Sequence, residues 1–377
     1  MNITPLYKRI VLKFGTNLLT AGGNQLDIGY MSSLARQIAA LSRQGVEIII
    51  VSSGAVAAGR YKLGLNRKFK GLPFKQVLAS VGQSRLMKVY EDLFDEHGIT
   101  VAQALLTRQD ISDRAGYLNA RNTLLALMEL GVITVVNEND VVAIDELDVG
   151  RFGDNDHLSA MVANLVDADA LIILSDIAGL YTSDPFSHPD ACLVPEVAEI
   201  NREVEMMASG TASKCGTGGM LTKIDAARQA TAAGITVIIA SGREEDIIPR
   251  LMSGEAIGTR FVPSASKRES RQRWMLSGLR TMGTITLDQG AVRALVSQKK
   301  SLLAAGVLSV AGVFKRGDVL DIFASGGERI GSGLANYAAD EMAIIRGVHS
   351  TEIAGLLGHD YGPEVIHRNN LVLLREI

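Results

Sequence analysis

The chain has 377 residues, is 47% hydrophobic and 21% charged, and carries 38 Lys or Arg against 41 Asp or Glu. That length accommodates two or three domains with a sizeable core, and a net charge of −3 excludes a broadly basic nucleic-acid or membrane surface while leaving local sites open. The two cysteines, Cys192 and Cys215, show no CxxC or metal spacing, and the first residues lack a basic stretch followed by an apolar one. A cytoplasmic, disulfide-free protein is therefore expected, and no apolar run approaches the about 18 residues of a membrane span.

From the first residues to position 262, short apolar runs alternate with segments of helical period. The runs are Ile10-Val-Leu, Glu47-Ile-Ile-Ile-Val51, Thr100–Leu106, Val132–Val136, Ala170–Leu174 and Ile235–Ala240. The segments between them include 30–45, 55–64, 75–98, 117–131, 157–166 and 223–233, and several end in glycine, a common helix stop. Continuous apolar strands separated by helices predict an α/β fold, a mostly parallel sheet sandwiched by helices, with ligands at the carboxyl ends of its strands.

The polar residues cluster at those ends. Lys13 closes the first strand before Phe14-Gly-Thr16; it is either a strand-end lysine reaching solvent or a site lysine, and the following glycine turn favours the site. Ser52-Ser-Gly-Ala55 follows the second strand, where a serine could cap the next helix or Gly54 could help form an anion nest. Asn137-Glu-Asn-Asp140 follows a strand, and Gly153-Asp-Asn-Asp156 precedes a helix. A cap at Asp154 or Asn155 uses one residue of such a tetrad, so its remaining carboxylates fit an ammonium group, a metal or a catalytic lysine. Ser175-Asp-Ile-Ala-Gly-Leu-Tyr-Thr182 leaves another strand end. Gly216-Thr-Gly-Gly-Met-Leu-Thr-Lys223 is a glycine-rich loop running into a helix. Its amides, the helix N-terminus and Lys223 together suit a polyphosphate. It is not a P-loop, because Thr222 rather than glycine precedes the lysine and Ile224 follows it. The six histidines are scattered and form no metal cluster.

Residues 263–281 break the rhythm with five basic side chains and one acidic one, and are expected to link residues 1–262 to a second domain, 282–377. In that domain, short strands with glycine turns at 283–290, 306–310, 314–319 and 331–335 predict a small β-rich barrel or sandwich.

Taken together, Lys13-Phe-Gly-Thr16, Val51-Ser-Ser-Gly-Ala55, Asn137-Glu-Asn-Asp140, Gly153-Asp-Asn-Asp156, Ser175-Asp176 with Gly179–Thr182, and Thr217–Lys223 resemble the amino acid kinase family. Within it they resemble the branch whose acceptor is L-glutamate. The region from about 282 to 360 resembles a PUA domain. The resemblance implies ATP- and Mg²⁺-dependent phosphorylation of the glutamate side-chain carboxylate, the first step of proline biosynthesis, with L-proline as feedback inhibitor. It implies that Lys13 and Lys223 contact the phosphates and the transferring group, with Asp156 positioning the two lysines. Ser53, Asp140 and Asn155 would bind glutamate. Lys13, Gly15, Ser175, Asp176, Thr217, Gly218, Gly219, Met220, Leu221, Thr222 and Lys223 would bind ATP. No side chain is assigned as a direct metal ligand, since Mg²⁺ is held by phosphate oxygens and water. A homo-oligomer and functional coupling to a glutamyl phosphate reductase are further expectations of the resemblance. The spacer 141–153 is a few residues longer than the family pattern.

The chemistry is consistent with these residues. A glutamate side chain, pKa about 4.3, is already an ionised nucleophile at pH 7 and needs no general base. The alternatives are a kinase of the same fold acting on another carboxylate or phosphate acceptor, and RNA binding through the tail. Residues 281–377 carry nine Lys or Arg against ten Asp or Glu, a poor electrostatic footprint for RNA; a role for the tail in oligomer contacts or regulation fits better.

Overall fold

A computed structural model describes residues 4–23, 25–65, 72–143, 155–209, 219–264 and 281–374. Their contacts divide the chain into two compact units. One is formed by Met1–Ile111 with Ala120–Lys267, the other by Ser112–Asn119 with Arg268–Ile377.

The first unit is built on an eight-stranded sheet. Its strands are β1 (Arg9–Phe14), β2 (Glu47–Ser52), β3 (Val101–Leu106), β4 (Ile133–Glu138), β5 (Ala170–Ser175), β6 (Glu196–Val197), β7 (Thr236–Ser241) and β8 (Thr259–Phe261), in the order β3-β4-β2-β1-β5-β7-β8-β6. The six strands from β3 to β7 in that order are parallel, as the uninterrupted apolar runs require. The short β8 runs antiparallel to β7, and β6 pairs parallel with β8. These two edge pieces are too short to stand out in the sequence. The chain leaves β1 for β2 on one side and later returns to β5 on the other. That reversal opens a crevice at the carboxyl ends of the central strands.

The helices are α1 (Thr16–Leu19), α2 (Ile28–Ser42), α3 (Ala55–Lys62), α4 (Leu72–Asp95), α5 (Arg108–Ser112), α6 (Arg114–Glu129), α7 (Asn155–Leu165), α8 (Arg202–Ser209), α9 (Met220–Ala232) and α10 (Ile247–Met252). Strand alternation decides which face each side chain joins. Ile10, Leu12 and Phe14 of β1 enter a core shared with Leu34 and Ile38 of α2, Leu86 and Phe94 of α4, and Ile248 and Leu251 of α10. Val11 and Lys13 therefore point to the opposite face, the one covered by α7, which packs along β1 and against α9.

α3 and α4 cross at a glycine pair. A methyl at Gly82 would overlap the Ala55 carbonyl oxygen, and one at Gly59 would overlap the Leu78 carbonyl. The missing side chains let the two backbones approach and set the height of α4 above the ends of β2 and β4.

The second unit has a five-stranded sheet ordered β11-β9-β12-β13-β15 and a two-stranded one, β10-β14. Its strands are β9 (Gly283–Leu287), β10 (Leu302–Leu303), β11 (Val307–Gly312), β12 (Val319–Ala324), β13 (Arg329–Leu334), β14 (Glu364–Ile366) and β15 (Leu371–Leu373). Three short helices accompany them: α11 (Gln289–Val296), α12 (Ala339–Ile345) and α13 (Ile353–Leu357). Only β12 and β9 pair in parallel. The core gathers Ile285, Leu287, Leu320, Ile322, Tyr337 and Met342.

Two expectations shift here. Residues 314–318 lead into β12 rather than forming a strand, because Asp318 accepts from the Lys315 N–H at 2.8 Å and closes a turn. The stretch 112–119 groups with the second unit: Leu118 is buried with Val319, Leu334 and Val372, and Arg114 is ion-paired to Asp318. In the sequence, Leu118 looks like any apolar position of an amphipathic helix. Most of the expected linker, from 265 to 280, lies outside the described residues.

Gly82→Ala should destabilise the first unit, since overpacking of this kind costs about 1–3 kcal/mol. Gly355→Ala in α13, where a methyl meets open space, should be neutral or slightly stabilising. Thermal unfolding of the two variants beside the parent chain checks the pair; equal midpoints for all three would contradict the close crossing.

Candidate active site

Three charged side chains define the centre of the crevice. Lys13 is the penultimate residue of β1, Asp156 lies in the first turn of α7, and Lys223 lies in the first turn of α9. Their relative exposures are 4%, 0% and 6%. One carboxylate oxygen of Asp156 is paired with the Lys13 ammonium, and the other lies 3.1 Å from Lys223 Nζ. Thr222 Oγ1 lies 2.9 Å from that second oxygen and 2.9 Å from the Gly219 carbonyl. Burial alone would push the Asp156 carboxyl up, but the Lys13 and Lys223 charges and hydrogen bonds outweigh it and hold the group below the ordinary carboxylate range. One carboxylate thus fixes two ammonium groups beside each other in a dry environment, where two unpaired cations would repel.

The helix carrying Lys223 begins at Met220 with Gly219 as its N-cap, three residues before the expected start. Lys223 is therefore one turn inside α9, and side chains on a helix lean toward its N-terminus. This brings the ammonium back to the mouth of the helix. The Met220, Leu221 and Thr222 amides lie in that first turn. Thr217 and Gly218 are outside the described residues.

On the β5 side, Ser175 Oγ donates to Asp176 Oδ1 at 3.1 Å, and Asn17 Nδ2 in α1 donates to Asp176 Oδ2 at 2.9 Å. Burial raises the Asp176 carboxyl, but these bonds and the charge of Lys223 leave it lowered overall. Gly15 is the N-cap of α1 beside Leu174, its amide donating to the Leu174 carbonyl oxygen at 3.4 Å. Asn17 had no motif to announce it.

On the β2–β4 side, the serines do not cap α3. Its N-cap is Gly54, at φ 106°, a left-handed conformation suited to glycine. Ser53 Oγ instead accepts from Asn155 Nδ2 at 2.9 Å. Asn155 is the first residue of α7, which starts two residues earlier than expected, and its side chain reaches across to the strands instead of capping the helix. Its Nδ2 also faces the Ser52 carbonyl oxygen at 3.1 Å and Asn137 Oδ1 at 3.1 Å. Asn137 Nδ2 donates to Gln83 Oε1 on α4 at 2.8 Å, and Ser52 Oγ lies 2.8 Å from the hydroxyl of Tyr90, also on α4. Asp140 is half-buried in the turn just after β4. Gln83 is a polar residue in mid-helix with no sequence signal. Asp154 and residues 144–153 of the long spacer are outside the described residues.

The loop after β5 is pinned rather than loose. Thr259 Oγ1 accepts from the Leu180 N–H at 2.8 Å and donates to the Val194 carbonyl at 2.7 Å, while Tyr181 bridges Leu193. Among the described residues no group of three or more His, Cys, Asp or Glu is gathered as a metal site.

A central strand reversal, two lysines brought together at a strand end and a helix start, and a buried carboxylate between them make up the candidate site of this α/β unit. The sequence profile of the amino acid kinase family matches residues 8–241, and that of the PUA domain matches residues 283–357. The chain is 60% identical over 368 residues to the glutamate 5-kinase of Dehalococcoides mccartyi (strain CBDB1), spanning 98% of this chain and 99% of that one. It is 50% identical to the glutamate 5-kinase of Herpetosiphon aurantiacus over 97% of this chain and 98% of the other, and 46% identical to that of Shewanella amazonensis over 98% and 97%. The chain belongs to the amino acid kinase family and, within it, groups with the glutamate 5-kinases.

Asp156→Asn should lower the midpoint of thermal unfolding, because breaking a buried pair from one side typically costs about 3–5 kcal/mol. The folded carboxyl lies below its unfolded value of about 3.9, so its stabilisation is present above that pH and is lost as pH falls through the folded value. The difference between parent and variant should therefore shrink as the pH falls below about 4. A difference undiminished at low pH would contradict the assigned ionisation.

Proposed function

We propose that this chain transfers the γ-phosphoryl group of ATP to the side-chain carboxylate of L-glutamate, forming glutamyl 5-phosphate. The observation that carries the reading is the buried Lys13–Asp156–Lys223 triad, flanked by an amide network on one side and by Asp176 and the α9 N-terminus on the other.

The acceptor carboxylate is ionised at neutral pH and attacks phosphorus directly. A new O–P bond forms, the bond to ADP breaks, and ADP leaves with the electron pair. No proton moves, so the site's task is to position two anions and offset charge on the phosphoryl oxygens. Lys13 and Lys223 offset that charge, and Asp156 holds them at fixed separation before the substrates arrive. The amides of the α9 first turn receive phosphate oxygens. Ser53, Asn155 and Asp140 hold glutamate.

Asp156 directs its two carboxylate oxygens at the lysines, which makes it a poor magnesium ligand. The magnesium accompanying ATP would be held by phosphate oxygens and water, and would supply further charge neutralisation at the phosphates. Proline, which shares the α-carboxylate and a charged nitrogen but lacks the nucleophile, fits the amino-acid end of the same pocket. An acyl phosphate is a reactive mixed anhydride, which favours a closely coupled reductase as its consumer. Homo-oligomerisation belongs to the same reading. The chain has no helix, among the described residues, long and apolar enough to cross a membrane.

Lys223→Ala should lower kcat by about 10²–10³ with a much smaller change in the KM for glutamate. Steady-state assays at saturating ATP measure both constants, and a change confined to KM would remove Lys223 from the transferring group.

Proline should inhibit in competition with glutamate, and Asp140→Asn should weaken both together because its carboxylate forms charge-assisted bonds to the charged nitrogen. Proline IC50 measured across glutamate concentrations tests this; an IC50 indifferent to glutamate would rule out a shared pocket.

A further inference from the structure

The amide network beside the triad is anchored on backbone groups that cannot turn over. Asn155 Nδ2 faces the Ser52 carbonyl oxygen at 3.1 Å, so Asn155 cannot present its carbonyl there. Asn137 Oδ1 accepts from the Glu138 N–H at 2.9 Å, so Asn137 is fixed in the same way. Asn137 Nδ2 must then donate to Gln83 Oε1, at 2.8 Å, which fixes the Gln83 amide with its Nε2 turned away from the chain. The network therefore ends in two atoms of opposite kind, the acceptor Asn155 Oδ1 and the donor Gln83 Nε2. Both are shielded from water and, among the described residues, neither has a hydrogen-bond partner, although both residues are only half-buried.

A buried donor and a buried acceptor left unpaired are costly, and each calls for a physical reason. An α-amino acid carries the complementary groups on a single carbon: an ammonium that donates and a carboxylate that accepts. On the reading of this site as a glutamate kinase, we infer that Gln83 is a substrate-binding residue. Its Nε2 donates to the α-carboxylate of the acceptor, and Asn155 Oδ1 takes one ammonium hydrogen. The ammonium has three hydrogens, so Asp140 shares it without conflict. The α-carboxylate is the partner because the γ-carboxylate has to meet the phosphoryl group between Lys13 and Lys223. The glycine crossing of α3 and α4 places Gln83, next to Gly82, at this height.

Two substitutions separate contact from bracing. Gln83→Leu removes the donor and the Asn137 bond together. Gln83→Glu keeps an acceptor for Asn137 Nδ2 and replaces the donor with a carboxylate that repels the substrate's α-carboxylate. Both should raise the KM for glutamate about tenfold or more, the loss expected for a hydrogen bond to a charged group. Both should leave the KM for ATP unchanged and kcat within about threefold, as for a contact equal in ground and transition states. Isoglutamine, the α-carboxamide of glutamate, gives a second readout: its amide can donate to the introduced carboxylate, so Gln83→Glu should narrow the preference for glutamate over isoglutamine. A Gln83→Glu enzyme with parental KM and parental preference would overturn the inference and reduce Gln83 to a brace for Asn137. Unfolding midpoints of both variants show whether a rise in KM comes with an intact fold; a KM rise matched by collapse of the fold in both would also overturn it. A parent enzyme that releases no ADP in response to glutamate would instead overturn the functional reading on which the inference rests.

Discussion

Two lysines with almost no exposure share one carboxylate at the centre of this protein. Neither ammonium could be kept in so dry a place alone, and the carboxylate could not be kept there without them. The triad joins the end of a strand to the starts of two helices, so the sheet and its α7–α9 cover must close correctly before the charges balance. On the proposed function, substrate would add negative charge at a place where positive charge is already fixed, leaving little reorganisation for the moment of reaction.

Around the triad, the crevice is divided by chemistry. Toward β5 lie a carboxylate held by Asn17 and Ser175 and the first turn of α9, the side to which the proposed function assigns the nucleotide. Toward β2 and β4, neutral amides and hydroxyls form a network with no net charge. The proposed function uses this division: neutral donors and acceptors with Asp140 for a zwitterionic amino acid, lysines and backbone amides for a polyphosphate. Two environments lie side by side because α7 supplies adjacent residues to both: Asn155 to the amide network and Asp156 to the lysines.

The second unit has its own core and its own sheet, and the matching PUA profile begins at residue 283. It is not formed by one continuous piece of chain. Leu118 and Arg114, from the middle of the kinase sequence, belong to it by packing and charge.

The class of fold was legible in the amino-acid order, and so were Lys13 and Lys223 at the crevice. Uninterrupted apolar runs such as Ala170–Leu174, alternating with helical segments, read as strands covered on both faces, and glycines beside the two lysines drew attention to them. Local signals of this kind depend on near neighbours in the chain. It is the folded chain that brings Asp156 between those lysines, takes Asn155 to the strands instead of capping its helix, and carries Gln83 and Asn17 to the same crevice. Their partners are separated by 67 residues for Lys223 and Asp156, 54 for Gln83 and Asn137, and 159 for Asn17 and Asp176. A mid-helix glutamine has the same local pattern whether it meets water or a buried amide; what distinguishes the two is the height of α4 over the sheet, set where Gly59 and Gly82 let two backbones touch.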